Sequence, residues 1–365
     1  MYSSFTYLLY FLGCTALALA KSAAKDESFR YGGQSKEEYC SQVDAGEYDV
    51  KQHVIGSVAV LLTSIVGVFL PFFLIKVFKI GVDSFPINLG RHFGTGVVIS
   101  TGFVHMMPEA IISLTHVCQS DFFHQYPPLA GAIAMCAALI NQLLEYLVSD
   151  MTEKSCSTNE EKAVEYAHVS HHNNTQPNPH GHGYSHGGIH SHSAAPAEIE
   201  GVSLRRRKLS TYMLEFGIWL HSVPIGITLG VTTGDQFKTL LAALIFHQMF
   251  EGIGLGARIY ELDSRKLMVP LLNGLAYAFM APFGAFIGIL IRNSYKANDP
   301  HTLIVEGVFN AISGGILIYM ALVNLISMDF TFSPQFKAEK RLRKIVYFIA
   351  MYAGAICMSI IGTWT

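Results

Sequence analysis

Eight times along its length the chain carries an apolar run long enough to cross a membrane as a helix, and this repetition limits its fold more than any other feature. The runs cover residues 53–75, 94–116, 128–149, 212–233, 239–257, 267–291, 302–326 and 345–363. About twenty apolar residues in a helix span the roughly 30 Å hydrocarbon layer, where backbone N–H and C=O groups have no water to bond and must pair within the segment. Composition agrees. Hydrophobic residues make up 51% and charged residues only 14% of the chain, against about 25% charged in an ordinary soluble domain. The expected fold is an all-α membrane protein, an eight-helix transmembrane bundle, with a long His-rich cytosolic loop between helices 3 and 4.

The chain divides accordingly. Residues 1–20 read as a signal peptide, apolar from Phe5 to Leu19 and closing on Ala18-Leu19-Ala20. No Lys or Arg precedes that run, so an uncleaved anchor stays an alternative. Residues 21–51 form an exoplasmic tail, 52–150 carry helices 1–3, 151–211 the His-rich loop, and 212–365 helices 4–8. Orientation follows from Lys and Arg, which concentrate in cytosolic connections. The connections after helices one, three, five and seven hold seventeen, among them Arg91, Arg205, Arg206, Arg207, Arg258 and Arg341. The opposite connections hold only Lys238, Arg292 and Lys296. Both termini are therefore expected outside. Cys40 and Cys118 fall on the same oxidising side, where they can pair. A net charge of −2 with no continuous basic face argues against nucleic acid as a partner.

The loop is rich in histidine among Gly, Ser, Asn and Pro. His168, His171, His172, His180, His182, His186, His190 and His192 offer imidazoles without a core to hold them. Adjacent imidazoles chelate zinc or copper with little structural demand. The loop reads as a low-affinity metal collector, the plain alternative being a solvated linker.

Two motifs place ionisable groups at bilayer depth: His221-Ser222-Val223-Pro224-Ile225-Gly226 and His247-Gln248-Met249-Phe250-Glu251-Gly252. Insertion of a charged group there costs about 2.5–3.5 kcal/mol, so such residues face the bundle interior and act there. On a helix His247 and Glu251 lie about 40° apart around the axis and about 6 Å along it. Both can point into one cavity. An imidazole with a carboxylate suits Zn²⁺, and Fe²⁺ or Mn²⁺ with less selectivity. The competing reading is an ion pair between helices, which leaves His221 unexplained. Pro224 removes the hydrogen bond to the Leu220 carbonyl and bends the helix, as suits a cavity wall. Gly226 with Gly230, and Gly252 with Gly256, have small-xxx-small spacing, expected to draw His221 toward His247 and Glu251. His105 and Glu109 form a second i, i+4 pair toward the outer end of helix 2, read as a pathway entrance or as an interfacial pair. His116, Asp121 and His124 follow in the outer loop, where they can concentrate cations.

At these residues the chain resembles the Zrt/Irt-like (ZIP) metal transporters, in particular the fungal and plant zinc and iron uptake branch. The likeness rests on Gly102-Phe103-Val104-His105 with Pro108-Glu109, on the His-Ser-x-x-x-Gly and His-Gln-x-x-Glu-Gly stretches at His221 and His247, and on Asn310 to Tyr319 in the seventh helix. The resemblance implies that His221, His247 and Glu251 are primary metal ligands, with Ser222 and Gln248 flanking them. It implies movement of one helix group against the other. Ile225, Ala281 and Asn324 stand where members of the family carry carboxylates, so one well-formed transport site is expected.

The expected function is import of Zn²⁺ into the cytosol across the plasma membrane, with the metal as substrate and no cofactor. Partners are divalent cations and the lipid bilayer; the assembly is left open, a homodimer included. An Fe²⁺ or broad-range Fe, Mn and Zn importer is the nearest alternative. An intramembrane zinc hydrolase lacks a His-Glu-x-x-His motif, and a metal-sensing receptor would need no flux. The expectation is a transporter and not an enzyme.

Overall fold

The computed structural model describes residues 36–41, 48–81, 84–171, 196–262 and 268–363. The signal segment and the loop histidines His180, His182, His186, His190 and His192 lie outside them. Among the described residues eight helices are long and apolar enough to cross a membrane. They are α1 (Val50–Val77), α2 (Phe85–Leu114), α3 (Leu129–His171), α4 (Pro196–Val231), α5 (Gly234–Leu262), α6 (Met268–Ile291), α7 (Pro300–Tyr319, continuing as a π-helix over Met320–Phe332) and α8 (Arg341–Ile361).

The helices outrun the apolar stretches because their ends are set by local signals rather than by hydropathy. α2 begins at Phe85, with Ser84 at the N-cap position and Pro86 in the first turn, where a missing N–H costs nothing. Arg91 thus lies on α2 and not in the connection before it. Arg258 lies on α5 for the same reason. α3 runs on to His171 and α4 starts at Pro196, so helix flanks the His-rich connection on both sides.

Packing sorts the bundle into two groups of four. α1, α4, α5 and α6 form one, built on α4 against α6 and α1 against α5; α2, α3, α7 and α8 form the other, built on α2 against α8 and α3 against α7. The groups meet along α2 with α5 and along α4 with α7. The glycine pairs serve this pattern and correct the expectation drawn from them. Gly226 and Gly230 lie against Ala281 and Ala285 of α6, while Gly252 and Gly256 lie against Gly67 and Val68 of α1. They seat α4 and α5 on other helices of their group. Small-residue spacing specifies close approach, but not to whom.

At the end read as exoplasmic, the disulfide Cys40–Cys118 joins the short helix Lys36–Ser41 to the connection after α2, with Cα atoms 5.6 Å apart. The pairing expected from orientation is present. Nearby, the two ring nitrogens of His53 each face a carbonyl oxygen, of Asp49 and of Thr232, at 2.8 Å, which ties the start of α1 to the end of α4.

Candidate metal site

The two motifs meet in the bundle interior. His221 Nε2 on α4 lies 3.2 Å from His247 Nε2 on α5, and Glu251 Oε2 lies 3.7 Å from that same nitrogen, one turn along α5. All three residues are at most 1% exposed, and Ser222 and Gln248 are wholly buried. Six polar atoms here make no hydrogen bond to protein: His221 Nδ1, Ser222 Oγ, His247 Nδ1, Gln248 Oε1 and both oxygens of Glu251. A buried polar group left unmatched costs about 1–3 kcal/mol, and native interiors carry few. Their concentration on the five residues of the two motifs is the chemistry of a binding site.

Donor types fit a borderline divalent cation, with two imidazoles and one carboxylate from adjacent helices. The two imidazole nitrogens face each other in mutual contact. Among the described residues no three His, Cys, Asp or Glu side chains already stand in a metal-holding arrangement. The set offers three such donors, one fewer than a closed four-ligand zinc cage.

Neighbouring helices set the orientation of the donors. Gln248 Nε2 donates to Ser64 Oγ of α1 at 3.2 Å, which leaves its Oε1 turned free. Tyr277 of α6, fully buried, donates its hydroxyl to the Gln248 carbonyl at 2.6 Å. Neither Ser64 nor Tyr277 is legible in the sequence as a candidate site residue, because each lies in an apolar run with no ionisable group or motif beside it. What identifies them is the partner they reach.

His105 and Glu109 are brought to different places. α2 widens into a π-turn over Thr101–Met106, with the Met107 N–H bonded to the Gly102 carbonyl five residues back. Pro108 follows at once and withholds an N–H from the Val104 carbonyl. In this turn His105 is buried, its ring 5.4 Å from that of His247, its Nε2 3.1 Å from the Met358 carbonyl of α8. Glu109 Oε2 instead accepts from Asn310 Nδ2 of α7 at 3.0 Å. The wide turn separates a pair that straight-helix spacing put on one face. π-turns of this kind recur at functional sites.

Further out, the ring of His116 stacks with Tyr39 at 6.2 Å, and its Nδ1 accepts from the Cys118 N–H at 3.3 Å. Burial, with His124 nearby, holds the His116 imidazole below the usual histidine range. Toward the other end, Asn324 donates to Glu145, and Tyr319 donates to Glu145 Oε2 at 2.8 Å. This polar knot joins α3 to α7 where the resemblance expected a carboxylate in place of Asn324.

Eight membrane-crossing helices in two groups, with a buried imidazole and carboxylate cluster between two of them, define a multi-pass membrane protein that handles a cation inside the bilayer. The model of the family described as ZIP Zinc transporter matches residues 50–362. The chain belongs to that family. Zinc transporter 3 of Arabidopsis thaliana is 33% identical to it, covering 98% of both chains. Fe(2+) transport protein 2 of the same plant is 32% identical over 85% of this chain and 86% of its own. Zinc-regulated transporter 1 of Candida albicans is 28% identical over 87% of this chain and 62% of its own. The family is one of membrane transporters and not of enzymes, and its metals are substrates rather than cofactors.

Proposed function

We propose that the protein imports Zn²⁺ into the cytosol through a site made by His221, His247 and Glu251, with Ser222 and Gln248 flanking. The observation that carries this reading is the convergence of six polar atoms without a hydrogen bond on those five buried residues, on adjacent turns of two facing helices. A hydrated cation passes Glu109 and His105, exchanges waters for the two imidazoles and the carboxylate, and leaves on the cytosolic side. Lys and Arg placement supports exoplasmic termini and a cytosolic His-rich connection, and the signal segment together with that orientation favours residence in the plasma membrane. His180, His182, His186, His190 and His192 then receive or buffer the released metal. The division into two helix groups supports alternating access by movement of one against the other. Fe²⁺ transport is the second reading, favoured by the Fe(2+) transport proteins among the relatives.

Radiolabelled zinc uptake tests both readings, run with excess Fe²⁺ or Mn²⁺ as competitors on the native chain and on His247→Ala and Glu251→Ala. Zinc uptake that both substitutions abolish at normal surface expression, and that iron scarcely lowers, is the expected result. Strong competition by iron selects the second reading; undiminished uptake in both variants rules out the site.

A further inference from the structure

At the seam between the two helix groups, away from the candidate ligands, lies an ion pair that none of the metal chemistry uses. Arg258 Nη2 of α5 is 2.7 Å from Asp329 Oδ2 in the π-helical continuation of α7 and 3.0 Å from Thr95 Oγ1 of α2. The two charged side chains are 12% and 19% exposed, and Thr95 is wholly buried. The contact therefore joins one residue of the site-bearing group to two residues of the other.

Its place on α5 gives it meaning. Arg258 follows Glu251 by seven residues, which puts it about 10 Å further along the axis and within about 20° of the same stripe. Alternating access to a site this deeply buried commonly comes from rigid-body movement of one helix group against the other, which displaces α5 relative to α2 and α7. The same seam is smooth one turn away. Gly94 of α2 and Gly254 of α5 touch backbone to backbone, with no side chain interposed. Glycine packing supplies no directional bond, so the charge-assisted contact beside it sets the position of rest.

We propose that Arg258, Asp329 and Thr95 form a positioning latch that holds the site-bearing helices in the arrangement seen and opens in every transport cycle. The proposal rests on the transport reading above. Without it the contact is a fixed brace, and a brace has no reason to open.

The test uses the full chain in proteoliposomes, with Cys14, Cys136, Cys156 and Cys357 replaced by Ser and the pair Arg258→Cys/Asp329→Cys introduced. A short two-armed thiol reagent that bridges the pair is compared with its one-armed counterpart. Bridging is expected to lower zinc uptake at least tenfold while equilibrium zinc binding is retained, and the one-armed reagent to leave uptake within twofold. Bridged protein that transports within twofold of its one-armed control overturns the latch. A native chain that moves no divalent cation overturns the transport reading itself, an outcome visible before any reagent is added. Arg258→Asp and Asp329→Arg, made singly and together, give an independent measure: each alone is expected to lower uptake about tenfold, and the exchange of charges to restore most of it. A double variant as poor as the product of the two singles overturns the pairing.

Discussion

Replacement of Gly252 by alanine tests whether the site depends on how closely α1 approaches α5. A Cβ at Gly252 would stand 2.9 Å from the Val68 nitrogen, with Gly67 C and Cα at 3.1 and 3.2 Å. These are backbone atoms and cannot swing away. Ordinary contact between such atoms begins near 3.5 Å, so the two helices must part by about half an ångström. Ser64 lies one turn from Gly67 on α1, and its hydrogen bond with Gln248 is already 3.2 Å long. The same parting stretches that bond past useful length. Overpacking costs about 1–3 kcal/mol and the lost hydrogen bond about 1 kcal/mol, against about 1 kcal/mol gained from alanine in a helix. The net destabilisation is about 1–3 kcal/mol, a fall of several degrees in unfolding midpoint. Zinc uptake falls with it, since Gln248 loses its anchor. Gly131 on α3 is the control, because a Cβ there meets nothing within 4 Å. Thermal unfolding of the purified variants in one detergent, alongside zinc uptake, makes the comparison. If Gly252→Ala unfolds at the native midpoint and transports normally, α1 does not set the position of α5 and the reasoning fails.

Three further outcomes are expected. Cys40→Ser and Cys118→Ser each remove the same cross-link across a sequence separation of 78 residues, which lowers stability by about 2–4 kcal/mol; the double variant unfolds with the singles, and an additive loss would refute the pairing. His221→Ala removes one of the two imidazoles that face each other at 3.2 Å and is expected to abolish zinc uptake at normal surface expression; uptake within twofold of the native chain counts against the site. Asn324→Asp removes the amide that donates to Glu145 and sets two carboxylates together; the variant unfolds earlier than the native chain at pH 7.5, and Glu145→Gln added to it restores the midpoint. An unchanged midpoint in the single variant would show that the Glu145 knot bears no weight.

Much of this protein is legible from residue order, for reasons that are local or set by the solvent. Lipid demands continuous apolar runs with backbone bonds closed inside each, so all eight spans are visible in one dimension. His221, His247 and Glu251 are visible because ionisable groups at that depth are expensive and two of them sit at helical spacing. Counting charge puts Cys40 and Cys118 on one side, where they can pair, and the packed structure joins them. Helix ends are less legible, since Ser84 and Pro86 begin α2 nine residues before its apolar run.

Contacts between helices belong to the tertiary structure alone. Gly226 and Gly252 announce close approach, yet a glycine surface fits any small neighbour, and only the packed bundle assigns one to α6 and the other to α1. Ser64 and Tyr277 join the candidate site through the Gln248 atoms they reach across 184 and 29 positions. The π-turn at Thr101–Met106 carries His105 to the ring of His247 and leaves Glu109 to Asn310, against the 3.6-residue period on which the sequence reading relied. Spacing along the chain determines which groups can share a face. Which faces meet is decided by shape and polar matching over the whole bundle, and no single segment contains that information.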